Sequence, residues 1–327
     1  MPEQQWKTKL QEAYASKAFE RLLETLTGSV QKDAPMSHYT SWKIGGPADY
    51  LIAPANVEEL CQVVAFAKGF HIPITIIGKG TNLLVSDAGI AGIVLQIGEK
   101  LQKLDFLPDN MVRAEAGLPL ATLAKTTVKN GLVGLEWAVG IPGNLGGALM
   151  MNAGAYGYQM GQFVTNIEVV EYTVINRNQT ADVLVERNTI PQSELDFCYR
   201  NSGLKPNQIA VAATLSLRQG DVAQAEKSMR ELLKTRSKNQ PLEYPSAGSV
   251  FKNPPGDHAG RLSEAAGCKG MSVGGAQVSE KHGNFIINRG NATAADVLAL
   301  IAQVQAKVKT QFGIELETEV RQLGRFV

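Results

Sequence analysis

The chain has 327 residues, 44% of them hydrophobic, with 32 basic against 31 acidic side chains. At ~150 residues per domain it makes two or three domains, each able to bury a core, and a net charge of +1 excludes a general electrostatic footprint for nucleic acid or an anionic membrane. Charged residues at 19% fall below the usual ~25% while the 32 glycines exceed the ~7% norm, which excludes disorder and suits an enzyme whose backbone approaches a ligand.

Residues 1–36 read as an amphipathic helical leader, with Trp6, Leu10, Phe19, Leu22, Leu23 and Leu26 at helical spacing and Gly28 as a stop. Its first 26 residues carry four glutamates and no apolar signal core, so neither secretion nor organelle import is expected. No apolar run approaches the ~18 residues that cross a bilayer. An α/β unit follows to about residue 98. Asn56 and Glu59 suit a capping box, and Val57, Leu60, Cys61 and Val64 line one helical face. Residues 73–77 read as a buried strand entering the loop 78–82, with short strands at 83–85 and 93–97. A second unit runs to about residue 218, with strands at 112–116, 167–175 and 209–217. Its helix, 118–130, has Pro119 near the start and Gly131 as the stop.

The third region, from 219, opens on a charged helix near 221–239 whose basic and acidic residues read as a solvated face. Thr293 opens a further helix that Gly313 closes. The last strand alternates Ile314, Leu316 and Val320 against Glu315, Glu317, Glu319 and Arg321. Cys61, Cys198 and Cys268 form no C-x-x-C pair and read as reduced thiols of a cytosolic protein. His38, His71, His258 and His282 are equally scattered, so no metal site is expected.

Two glycine loops stand out. Gly78-Lys-Gly80 follows a strand, but Leu83 occupies the third-glycine position of a dinucleotide fingerprint and the next residues read as a strand, so a Rossmann turn fails. No P-loop sequence is present either. Residues 131–161 hold nine glycines. Without Cβ atoms, consecutive backbone N–H groups can converge on an anion as a nest, and two such loops could enclose a pyrophosphate. Turns and tight packing are the plainer use of the same glycines.

Six segments in order resemble one flavoenzyme family: 40–48 (TSWKIGGPA), 78–86 (GKGTNLLVS), 140–147 (GIPGNLGG), 199–202 (YRNS), 248–254 (GSVFKNP) and 316–321 (LETEVR). They span residues 37–324 and are similar to the UDP-N-acetylenolpyruvoylglucosamine reductase (MurB) family of bacterial cell-wall synthesis. The resemblance implies an α+β fold: a two-subdomain FAD-binding fold of the p-cresol methylhydroxylase type (37–98 and 99–218) plus a C-terminal α+β substrate-binding domain (219–327) whose last strand returns to the active site. It implies non-covalent FAD, NADPH as co-substrate, and a UDP-sugar whose enolpyruvyl ether is reduced to UDP-N-acetylmuramate. A cytoplasmic monomer serving cell shape and division, with no nucleic acid or membrane partner, is the corresponding expectation. About fifty residues between Arg200 and Gly248 leave no room for the longer branch's insertion, so the chain resembles the shorter, type II branch.

By that resemblance, Gly45, Gly78, Lys79, Gly80, Thr81, Asn82, Leu83, Ser86, Gly140, Ile141, Pro142, Gly143, Gly146, Gly147, Asn152, Ala153 and Gly154 contact the cofactor. Reducing an enol ether beside a carboxylate is a conjugate addition: hydride reaches C3, charge builds on the carboxylate, and C2 takes a proton. Arg200, with its planar fork, is the expected stabiliser of that charge, and Ser249 the expected acid. Glu319 either orients Arg200 or stabilises charge directly, with Glu317 the alternative on the same face. Tyr199, Lys252, Asn253, Lys269 and His282 are expected to bind substrate. Cys268 stands where the family more usually has leucine. A flavin oxidase of the same wider fold and a flavin- or nucleotide-binding module without turnover are the rival readings.

Overall fold

The computed structural model describes residues 8, 12, 13, 17–175 and 182–326, and Trp6 and Leu10 of the expected leader lie outside them. Of the described residues of that leader, 8, 12, 13 and Ala18–Thr25 are helical, and Ser29–Pro35, just past the expected stop at Gly28, is a strand. The chain falls into two units, both discontinuous in sequence. One comprises Met1–Lys32, Asp49–Gly78 and Ala91–Leu233; the other comprises Asp33–Ala48, Lys79–Ile90 and Lys234–Val327. Short segments at 33–48 and 79–90 thus belong with the C-terminal region, across the consecutive blocks expected from sequence.

In the first unit, Asn56 caps the helix Val57–Gly69 by accepting the Glu59 N–H at 2.8 Å. Glu59 does not return a reciprocal bond of the capping-box kind. Its carboxylate accepts the backbone N–H groups of Ala55, Thr27 and Gly28 at 2.8, 2.8 and 3.1 Å. Burial raises its proton affinity, but these bonds outweigh it and hold the carboxyl below its ordinary range. Ile74–Ile77 pairs in parallel with Ile93–Gln96 and is half-buried except at Ile77.

A five-stranded antiparallel sheet follows, in the order Asp182–Pro191, Val164–Ile175, Gln208–Ser216, Met111–Glu115, Leu104–Phe106. Its middle strand, Gln208–Ser216, is buried at all but its last residue, because both faces of the sheet are covered. Ala210, Ala213 and Leu215 join one core with Leu123, Leu145 and Met160. Ile209 and Val211 join another with Leu60, Val64 and Ile93. The edge strand Asp182–Pro191 carries no local signal strong enough to announce it; seven of its ten residues are exposed.

The second unit is built on Trp42, Leu84, Val250, Phe251, Leu262, Val297, Leu300 and Val304. The Trp42 indole N–H donates to Ile286 O at 2.7 Å, and Asn288 Nδ2 donates to Trp42 O at 3.0 Å. The helix Ala294–Phe312 begins at Thr293, which forms a capping box with Asp296, and ends at left-handed Gly313. Leu83–Val85 pairs in parallel with Arg321–Leu323. Residues 314–320, expected to be a strand, make no continuous ladder; an isolated bridge joins Thr318 to Phe251. The alternation survives as burial alone, with Leu316 and Val320 inside and Glu315 and Glu317 outside.

Candidate active site

The second unit gathers three segments that carry expected site residues. Val250, next to Ser249, is at the junction: its carbonyl accepts the Glu319 N–H at 2.7 Å, and Lys252 N donates to Glu317 O at 2.8 Å. From the other side, Asn82 Nδ2 donates to Glu319 O at 3.1 Å and Arg321 N to Asn82 O at 3.0 Å. The loop Lys79–Asn82, the Glu319 segment and the Ser249 segment are therefore held in register by main-chain bonds and the Asn82 amide. Glu319 is half-buried, whereas Glu317 is exposed and pairs with Lys252 at 2.5 Å.

A cavity of about 370 Å³ opens beside Ser249, lined by Asn253, His258, Arg261, Lys281, His282 and Asn284 among others. His282 Nδ1 accepts the Asn284 N–H at 3.1 Å, which leaves its Nε2 as the protonated nitrogen of the neutral ring. Burial, and next the Lys269 charge, push the imidazole below its ordinary value against the opposing Glu264 carboxylate. Lys269 itself pairs with Glu264 at 2.8 Å. Asn253 Oδ1 accepts the Ala259 N–H at 3.1 Å. Arg261 pairs with Asp257, whose carboxyl that guanidinium pulls down to about 2.

Two expected cofactor residues in this unit also make contacts within the protein. The Ser86 hydroxyl donates to Arg325 O at 2.5 Å and accepts the Ala88 N–H at 3.1 Å. Gly45 lies against Val85, whose Cβ is 2.8 Å from where a side chain would begin.

The first unit holds Gly78, the loop Gly140–Gly147, Asn152–Gly154 and the Tyr199–Arg200 turn. Asn144 is 3% exposed; its Nδ2 donates to Ile97 O at 3.1 Å, while its Oδ1 has no partner among the described residues. A Cβ on Gly78 would meet nothing nearer than Asn144 Nδ2 at 3.8 Å, and one on Gly147 nothing within 4 Å. A buried acceptor beside bare backbone suits a ligand that brings N–H or hydroxyl donors and phosphate oxygens, and FAD has these groups.

Asn152, expected at the cofactor, has its side-chain amide bonded within the protein. Its Oδ1 accepts the Gly161 N–H at 2.9 Å, and its Nδ2 donates to Gln159 Oε1 and Cys198 O at 3.1 and 2.9 Å. The Cys198 carbonyl belongs to the tight turn in which Cys198 and Asn201 exchange backbone bonds around Tyr199 and Arg200. Arg200 takes φ +61° there, a conformation L residues avoid, and its guanidinium lies 4.7 Å from the centre of the Tyr199 ring. Asn144 and Asn284 were not singled out by sequence reasoning. Asn144 sits inside a glycine loop that was legible, whereas Asn284 has no local signal.

Residues 48–173 match the FAD binding domain family, and residues 240–323 match the UDP-N-acetylenolpyruvoylglucosamine reductase C-terminal domain. The first match makes the chain an FAD-binding protein, with a two-subdomain fold of the p-cresol methylhydroxylase type followed by an α+β domain. Similar proteins narrow this. The UDP-N-acetylenolpyruvoylglucosamine reductase of Caldanaerobacter subterraneus subsp. tengcongensis is 44% identical over 298 residues, covering 91% of this chain and 94% of that one. The corresponding protein of Heliobacterium modesticaldum is 46% identical over 301 residues, 91% of each. The crystal structure of MurB from Thermus caldophilus superposes with a TM-score of 0.75 at 32% identity, covering 91% of this chain and 99% of that one. The chain belongs to the UDP-N-acetylenolpyruvoylglucosamine reductase family, whose reaction serves peptidoglycan precursor synthesis.

Proposed function

We propose that the chain reduces UDP-N-acetyl-3-O-(1-carboxyvinyl)-glucosamine to UDP-N-acetylmuramate with NADPH as hydride source. When bound, FAD supplies hydride transfer between NADPH and C3 of the enolpyruvyl group. Gly45, Gly78, the loops Lys79–Leu83 and Gly140–Gly147, Ser86 and Asn152–Gly154 hold the cofactor, with the Asn144 amide added. Arg200 binds the substrate carboxylate and stabilises the charge that builds on it. The Ser249 hydroxyl donates its proton to C2, and Glu319 stabilises the same intermediate. Tyr199, Lys252, Asn253, Lys269 and His282 bind the sugar nucleotide.

The observation that carries this reading is the gathering of Ser249, Glu319 and the Lys79–Asn82 loop in one unit through Val250 and Asn82. The same proposal takes 37–98 and 99–218 as the flavin subdomains and 219–327 as the substrate domain. It also takes the chain as a cytoplasmic monomer of the shorter family branch, acting in cell shape and division. Among the described residues no helix is long and apolar enough to cross a membrane.

Anaerobic flavin absorbance tests it. NADPH should bleach the yellow protein and the enolpyruvyl sugar nucleotide should restore the colour. Fast re-oxidation by air with no dependence on the UDP-sugar would overturn the proposal in favour of an oxidase. Ligand binding without either colour change would reduce it to a binding module.

A further inference from the structure

We infer that Asn284 is the positioning residue that sets the Ser249 hydroxyl for proton delivery; this deepens the role given to Ser249 above and rests on it. Asn284 is 4% exposed. Its Oδ1 accepts the Phe251 N–H at 2.9 Å and its Nδ2 donates to Phe251 O at 2.8 Å. Its own carbonyl accepts the Val250 N–H at 2.9 Å. The two residues after Ser249 are thus gripped at three points by one residue, and both side chains are buried, Val250 at 0% and Phe251 at 2% exposed. Val250 is the residue that also receives the Glu319 N–H, so the grip sets two proposed catalytic groups at once.

Upstream of Ser249 the anchors lie at Pro245 and Ser246, whose carbonyls accept the Asn288 N–H and the Ser41 hydroxyl. Gly248 has φ +76°, and a side chain there would meet nothing within 4 Å. Gly248 alone cannot fix the angle at which the hydroxyl is presented, so the downstream grip has to. A side chain in this place must offer one donor and one acceptor at short reach, and asparagine does so. Aspartate keeps the acceptor for Phe251 N–H but leaves Phe251 O facing a carboxylate. Leucine, branched at the same atom, leaves two buried backbone groups unpaired. Ser249 and Asn284 both line the 370 Å³ cavity, so a shift of this segment is felt where substrate would bind.

The test uses the flavin-loaded enzyme and stopped-flow absorbance on Asn284→Asp, Ser249→Ala and the double variant. For Asn284→Asp, reduction by NADPH should stay normal. Re-oxidation by the enolpyruvyl substrate should slow on the order of a hundredfold, the penalty of a misplaced catalytic group. Substrate affinity, read from the flavin difference spectrum, should hold. The double variant should be no slower than Ser249→Ala, because Asn284 acts through that hydroxyl.

Normal re-oxidation in Asn284→Asp, equal slowing of both half-reactions, or multiplicative effects in the double variant would each overturn the inference while leaving Ser249 in its role. A normal Ser249→Ala trace would instead remove the parent reading. Hydrogen exchange on the unaltered protein gives a check that needs no variant. The amides of Val250 and Phe251 should exchange among the slowest of residues 245–255, and rapid exchange there would overturn the grip.

Discussion

Arg200 and Ser249 are presented by their two units in opposite ways. Arg200 itself adopts the left-handed backbone, φ +61°, in a turn pinned by the buried amide of Asn152. Ser249 has ordinary backbone, and the left-handed residue is its neighbour Gly248 at φ +76°; the buried amide of Asn284 grips the chain just beyond. Each unit uses a buried asparagine to fix a segment proposed to react, but the strain falls on the proposed charge stabiliser in one and on a glycine in the other. The lesson concerns substitution. At Arg200 a change to alanine leaves the strain of ~1–2 kcal/mol in place while glycine would relieve it, whereas at Ser249 a side-chain change should alter the proposed chemistry with little effect on the backbone.

Four variants break or sharpen that contrast. Ser249→Ala carries the largest expected effect: re-oxidation by substrate falls by about 10²–10⁴-fold, the usual span for a lost general acid, and reduction by NADPH is unchanged in stopped flow. Arg200→Ala comes next, losing about 10²–10³-fold in re-oxidation, as when one donor to a developing oxyanion is removed, together with weaker substrate binding. An unchanged re-oxidation constant would take Arg200 out of the reaction.

Glu59→Gln tests the first unit's framework far from the chemistry, and chemical denaturation at pH 7 should show a loss of about 1–3 kcal/mol, because three backbone N–H groups lose their charged acceptor. The folded carboxyl binds its proton less readily than the unfolded chain's, whose value is ~4.3. Its stabilisation is therefore present above that value and lost as pH falls through the folded one, a loss the variant should lack. The smallest effect belongs to His282→Gln in the second unit. Its imidazole is also harder to protonate when folded, so the parent protein loses stability on acidification through ~6.5, and the variant's melting temperature should fall less over that range.

Much of the fold is legible where the signal is local. Thr293 with Asp296, Gly313, the Asn56 cap and Pro119 mark helix ends because each acts within a few residues. The apolar strands 164–175 and 208–216 announce themselves by composition. Asp182–Pro191 does not, since its partner rather than its own pattern holds it in the sheet. Residues 314–320 show the converse: the alternation is real, yet without a neighbouring ladder it is not a strand. The site was legible as motifs, and the structure brings together those of the second unit. That the Asn152 and Ser86 side chains would be engaged internally, and that Asn284 would grip Phe251, depends on hydrogen-bond saturation between distant segments, which no spacing encodes.

The parallel pairing of Leu83–Val85 with Arg321–Leu323 has a consequence for the protein's birth. Leu83 leaves the ribosome 238 positions ahead of its partner Arg321, which at translation rates of ~5–20 residues per second is a wait of about ten to fifty seconds. Through that interval Leu83–Val85, directly after one of the glycine loops, waits without its partner strand, and an unpaired apolar edge of this kind is what makes a nascent chain prone to aggregate.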